Sequence, residues 1–177
     1  MALGRVLWVL RHAKTVREPP TGGDDHDRKL APRGRRDADA LGRRLGQDGD
    51  RLGLPADLMP GLVLCSTAAR AVGTAKRVLA GLSAPPPVTY LHSLYGASPE
   101  EVLELVAAVA DDISSVMLVG HNPTFEAFAA AMAASPHPAP MGGFATCGLA
   151  VFDLPVQRWD EIAPRTAEVL GVFLPPF

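Results

Sequence analysis

Short apolar runs alternate along the chain with longer segments of helical periodicity. Val6–Leu10 is apolar at every position, the pattern of a strand buried on both faces. The run stops at the cationic pair Arg11-His12, and a polar loop, "TVREPPTGGDDHDRK", follows. Pro32 can take the first position of a helix whose apolar face is Ala38, Leu41 and Leu45. Asp39 and Arg43 form an i,i+4 pair on its exposed side, and the helix fades near Gly46–Gly49. "GLVLC" reads as a second buried strand. Thr67 is positioned to cap a helix that turns Ala68, Ala71, Ala75, Val78 and Leu82 inward.

After three prolines, "VTYLHSLY" reads as a third extended segment. Ser98-Pro99-Glu100-Glu101 is a capping box with proline at the first helical position, and Val102, Val106 and Val109 face inward behind it. "SVMLVG" is a fourth buried strand. Asn122-Pro123 starts another helix, with Asn122 as its N-cap and Phe125, Phe128, Ala129 and Met132 inward. "FATCGLAVFDL" and "AEVLGVFL" read as late strands, an antiparallel pair at one sheet edge with "VQRWDEI" between them. The alternation predicts an α/β fold, a three-layer sandwich whose mostly parallel central sheet is flanked by helices. With no repeat and no long linker, one domain over residues 1–177 is expected.

Composition narrows the function more than the fold. Apolar residues at 47% and charged residues at 20% suit a globular protein, and a net charge of -2 gives no overall pull toward nucleic acid or anionic membrane. Of the 17 Lys and Arg, seven fall between Arg28 and Arg44, but the interleaved Asp37 and Asp39 make that stretch a solvated helix face. It carries no aromatics of the kind a nucleic-acid reader uses. The two cysteines, Cys65 and Cys147, form no ligand cluster and suit a reducing compartment. The first apolar run is too short for a signal-peptide core, and none reaches the roughly 20 residues of a membrane helix. The expected location is cytoplasmic.

Three predicted strands end on polar groups. The first ends at Arg11-His12, the second leads through Cys65-Ser66-Thr67 to Arg70, and the fourth ends at Gly120-His121-Asn122. In a parallel sheet these ends share one edge, where ligands bind. Arg70 falls in the first turn of its helix, where the positive end of the helix dipole disfavours a cation. It fits there if a dianion binds between the two, or if a nearby carboxylate pairs with it. His12 beside Arg11 is expected to stay unprotonated, and so nucleophilic, at neutral pH. Two histidines and two arginines at such an edge suit a phosphoryl group, whose equatorial oxygens the cationic side chains neutralise without metal. No cofactor is expected. Cys65 reads as a small buried residue, His26 as a member of the charged loop that could also line the cleft, and His92 and His137 as loop residues.

The motifs "LRHAKT", "STAARAVGTA" and "VGHNP", in that order and each after a buried strand, resemble the histidine phosphatase superfamily, also called phosphoglycerate mutase-like. The short chain, "DHDRKLAPRGRRDA", "LYGAS" and "FATCGLAVFDL" resemble its SixA-like phosphohistidine phosphatase branch. The resemblance implies a histidine phosphatase-like fold with His12 as the nucleophile that becomes phosphorylated. It implies that Arg11 and Arg70 bind the phosphate oxygens, that His121 completes their pocket, and that Arg28 lies near the phosphate. Two departures stand out. Ala13 occupies a position where most of the superfamily has glycine. Many members also carry a general acid after the third strand, whereas "TYLHSLYGASP" has no carboxylate. Glu100 is the carboxylate that could be recruited if the loop folds back; the capping box already uses Glu101.

An alkoxide leaving group gains much from a proton donor, and a protonated imidazole departs more readily. Lack of a carboxylic acid therefore leans toward phosphohistidine, with activity rising steeply as the leaving group improves. The expected function is a metal-independent phosphatase acting through phosphorylated His12 on a phosphohistidine, such as one borne by a protein. The alternative is hydrolysis of small phosphomonoesters such as sugar or nucleoside phosphates, and a non-catalytic phosphate-binding module is the third reading. The expected partner is the phosphorylated substrate, with no nucleic acid and no membrane, and the chain as a monomer or weak dimer.

Overall fold

The computed structural model describes residues 4–48, 54, 58–135 and 144–177. Its strands are β1 (Arg5–Arg11), β2 (Leu62–Ser66), β3 (Val88–Leu91), β4 (Ser115–Gly120), β5 (Leu149–Leu154) and β6 (Glu168–Phe173). Its α-helices are α1 (Pro32–Asp48), α2 (Ala69–Leu79), α3 (Pro99–Ala107) and α4 (Thr124–Met132). The sheet runs in the order β3-β2-β4-β1-β5-β6. β1 pairs with β4, and β2 with both β3 and β4, in parallel. β5 runs antiparallel to β1 and to β6, so the late strands form the expected antiparallel edge.

Period-two geometry splits the apolar strands between two cores. Val6, Trp8 and Leu10 pack with Leu41 and Leu45 of α1 and Ala71, Ala75 and Val78 of α2. Leu7 and Val9 pack on the other face with Val102 and Val106 of α3 and Phe125 and Phe128 of α4. This is the three-layer α/β arrangement with helices on both sides of the sheet. The first two helices lie so close that a Cβ on Gly42 would stand 2.5 Å from the Val78 carbonyl oxygen.

Several local readings differ from the structure. Asp39 pairs with Arg77 of α2 through both carboxylate oxygens, each at 2.9 Å, so it stitches two helices together and not one turn of α1 to the next. The extended reading of "VTYLHSLY" overruns, because β3 ends at Leu91 and His92–Tyr95 coil into a 3-10 turn. α1 runs through Asp48, past Gly46 where the fade was expected to begin, while Gly49 and His137, read as a loop residue, lie outside the described residues. No described helix is long and apolar enough to cross a membrane.

Candidate active site

Because β1, β2, β3 and β4 are mutually parallel, their carboxyl ends share one edge of the sheet. His12 is fixed there by its own backbone. Its N–H donates to Gly120 O at 2.9 Å, and its carbonyl accepts from Cys147 N–H at 3.1 Å. The next residue, Ala13, donates to Thr74 Oγ1 at 2.9 Å, and the Thr74 hydroxyl donates to the Arg70 carbonyl at 2.7 Å. One side chain of α2 thus ties the loop after β1 to the turn that carries Arg70. Ala13 is fully buried, so the small side chain in the first motif fits a packed position.

The His12 ring is held at Nδ1, 2.9 Å from the Ala13 carbonyl. A carbonyl only accepts, so Nδ1 carries the proton and Nε2 keeps its lone pair. Burial pushes the His12 pKa down to about 4, and Arg70, Arg11 and Arg28 repel the protonated form further, against the bond to Ala13. The His121 ring centroid lies 5.2 Å from that of His12. Its Nε2 lies 2.8 Å from Ser66 Oγ at the end of β2, and burial with repulsion from His12 and Arg70 pushes its pKa down to about 3. Just before it, Gly120 leaves room for Phe125 of α4: a Cβ there would meet the Phe125 ring at 2.5 Å. Two nitrogens of the group, Arg11 Nε and His121 Nδ1, are buried without a hydrogen-bond partner among the described residues. Such atoms are costly to leave unpaired unless a ligand meets them.

Arg70 lies in the first turn of α2 and is 8% exposed. Its partner is Asp25, in a 3-10 turn of the charged loop. Arg70 Nη2 donates to Asp25 Oδ2 at 2.9 Å and Nη1 donates to the Asp25 carbonyl at 2.6 Å. Tyr95 Oη donates to the same Oδ2 at 2.8 Å, and Arg28 Nη1 donates to Oδ1 at 2.9 Å. Bonds from Arg28, Tyr95 and Arg70 hold the Asp25 carboxyl well below the usual carboxylate range. Arg28 also gives Nε and Nη2 to the Val16 carbonyl and Nη2 to Thr15 Oγ1. Four of its five N–H groups are therefore in use, and it acts on the pocket chiefly through Asp25.

A second cluster adjoins the first. The Thr67 hydroxyl stands 2.9 Å from His26 Nε2 and 3.1 Å from His92 Nδ1. Tyr95 lies edge-on to His26, with centroids 4.9 Å apart, and edge-on to His121 at 5.6 Å. Thr67 does not cap α2; Ala68 holds that position, with no side-chain bond. Asn122 is no cap either, since its Nδ2 donates to Glu126 Oε2 at 2.8 Å and to the Phe144 carbonyl. Glu100 is exposed in the first turn of α3 and makes no hydrogen bond to the site among the described residues. Sequence reasoning missed Asp25, His92, Tyr95 and the contacts of Thr67, and it allowed His26 a place at the cleft without preferring it. One signal was available: His92 and Tyr95 stand at i,i+3, adjacent on a 3-10 turn.

The family described as Histidine phosphatase superfamily (branch 1) matches residues 7–95, from within β1 to Tyr95. The uncharacterized protein Rv1276c of Mycobacterium tuberculosis is 37% identical over 172 residues, covering 94% of this chain and 99% of that one. This chain belongs to the histidine phosphatase superfamily. Its fold matches a candidate phosphohistidine phosphatase SixA from Nakamurella multipartitia, with a TM-score of 0.78 and 34% identity over 99% of each chain. A second such SixA structure, from Agrobacterium tumefaciens, gives a TM-score of 0.78 at 32% identity over 98% of this chain and all of that one. The chain is accordingly a SixA-like histidine phosphatase, a hydrolase that removes phosphate. In this histidine phosphatase the segment matching the family contains Arg11, His12, Arg28, Arg70 and Tyr95, while His121 directly follows β4, beyond it.

Proposed function

We propose that this phosphatase hydrolyses phosphohistidine carried on a protein, through a phosphorylated His12. The observation that carries the reading is the state of Asp25. It is the carboxylate on the Arg70 side of the pocket, and three donated bonds keep it ionised and bound to Arg28, Arg70 and Tyr95. A carboxylate so held has no proton to give an alkoxide. An imidazole leaving group is less demanding, because it departs neutral once its ring carries a proton. The two SixA-like structures support the same substrate class.

In this mechanism His12 Nε2 attacks phosphorus in line with the departing group. Arg11 Nε, Arg70 and His121 Nδ1 meet the phosphate oxygens as charge builds on them. Water then attacks phosphorus and the P–N bond to His12 breaks, returning its electron pair to Nε2.

The experiment compares kcat/KM on a histidine-phosphorylated protein with that on a panel of sugar and nucleoside phosphates. The phosphohistidine substrate is expected to exceed every phosphomonoester by more than an order of magnitude. Rapid quenching should leave acid-labile phosphate on the wild type, and His12→Ala should lose at least about a thousandfold in kcat and trap none. Preference for a sugar or nucleoside phosphate would move the function to small phosphomonoesters.

A further inference from the structure

The backbone of one residue, Phe144, ties Arg11 to α4. The Phe144 carbonyl accepts from Arg11 Nη1 at 2.5 Å and from Asn122 Nδ2 at 3.2 Å. Its N–H donates to Glu126 Oε2 at 3.2 Å, and Asn122 Nδ2 donates to that same oxygen at 2.8 Å. The Phe144 side chain is buried in the core that holds Phe125 and Phe128, so the residue is fixed by packing as well. The chain then turns, with Gly148 N–H donating to the Ala145 carbonyl at 2.8 Å. Within that turn Cys147 takes a φ of 63°, a value that residues other than glycine seldom adopt. Such a conformation persists where the surrounding contacts over-determine it. Here they do: Cys147 N–H donates to the His12 carbonyl, and Arg11 N–H donates to the Gly148 carbonyl at 3.0 Å. The segment from Phe144 to Gly148 therefore grips Arg11 by backbone and side chain together.

We infer that Glu126 is a positioning residue for phosphate binding, which acts through Asn122 and the Phe144 backbone to fix the plane of the Arg11 guanidinium. This rests on the reading above in which Arg11 binds the phosphate oxygens, and it names the group that aims that arginine. The guanidinium is a rigid planar fork, so holding one arm on a fixed carbonyl sets the direction of the other donors. With Nη1 on the Phe144 carbonyl, Arg11 Nε is left buried without a hydrogen-bond partner among the described residues, a donor ready for an anion. Glu126 works at one remove. Its oxygen meets an N–H and an amide nitrogen, and it is the carbonyl that touches the guanidinium. A carboxylate placed directly on Arg11 would occupy the donors that phosphate needs. At this distance the negative charge still attracts the half-buried cation, against the burial that disfavours it. Arg70 is aimed by an ion pair with Asp25, whereas Arg11 is aimed through a backbone that a carboxylate holds in place.

The test is a double-mutant cycle on the dissociation constant of orthovanadate, a phosphate analogue, measured by titration calorimetry so that no turnover is needed. Glu126→Ala should weaken vanadate binding roughly tenfold in the otherwise wild-type chain, as expected for residues sharing one hydrogen-bond network. In an Arg11→Ala chain the same change should cost less than about twofold, because the residue through which it acts is gone. Glu126→Gln should recover most of the affinity, since its amide oxygen can accept the same two bonds. Asn122→Ala, which removes the clasp between Glu126 and the Phe144 carbonyl, should show a loss that likewise vanishes without Arg11. It carries the cycle should Glu126→Ala fail to fold, which thermal unfolding of each variant reports. Equal losses with and without Arg11, or full affinity in both Glu126→Ala and Asn122→Ala, would overturn the positioning role. If Arg11→Ala itself binds vanadate as tightly as the wild type, the phosphate-binding reading of Arg11 fails first, and this proposal with it.

Discussion

Asp25 and Arg70 meet at two points, side chain to side chain at 2.9 Å and guanidinium to backbone carbonyl at 2.6 Å. The double contact fixes both position and plane of the guanidinium, which a single ion pair would not do. Arg70 is thereby aimed before any phosphate arrives.

Asp25→Asn should keep the fold and the contact to the Asp25 carbonyl while removing the charge that orders Arg70, Arg28 and Tyr95. A loss of about tenfold to a hundredfold in kcat/KM is expected from a guanidinium free to swing off line. Steady-state kinetics on the variant check this. Unchanged kinetics would mean that Arg70 is held by packing alone.

The histidine pair predicts a definite pH response. In an unfolded chain an imidazole takes up its proton near pH 6.5, whereas the folded values are about 4 for His12 and about 3 for His121. Between those limits the unfolded chain binds more protons than the folded one, so stability falls as pH drops below about 6.5. Above that pH the two rings add no slope. Denaturant unfolding at a series of pH values tests the sign, and replacing His12 with Gln should flatten part of the acid limb. Nitrogen NMR should find His12 neutral, protonated at Nδ1, at about pH 5 and above. A His12 ring that titrates near its ordinary value would contradict the buried, arginine-flanked setting.

Metal should not matter to turnover, because Arg11 and Arg70 supply the positive charge that a divalent ion supplies elsewhere. Activity is expected to be the same with and without EDTA. Loss on chelation, restored by a divalent ion, would refute this.

The sheet and the strand-end half of the candidate site were legible because both follow from local pattern. Buried strands announce themselves as unbroken apolar runs, and polar residues at their ends must share one edge once the strands are parallel. Arg11, His12, Arg70 and His121 follow from that rule and the family motifs. The other half was hidden because loops assemble it. The pairs His26–Thr67, Thr67–His92 and Asp25–Tyr95 are separated by 41, 25 and 70 residues, and no periodicity links them. Thr67 was misread for a sound reason: a hydroxyl just before a helix usually caps it. Here the helix begins at Ala69, which frees the hydroxyl for two imidazoles.

Ser66 and Thr67 are neighbours in the chain, yet one hydroxyl serves His121 and the other serves His26 and His92. Ser66 is fully buried at the end of a strand, where its surroundings are set by the sheet. Thr67 belongs to the loop side, together with the turn that carries His26 and the turn that carries His92. The machinery is modular at the level of one peptide bond. Positions 26, 67 and 92 form a cluster of their own, apart from the strand-end pair of Ser66 and His121. A scaffold divided in this way can change substrates without reinventing its chemistry.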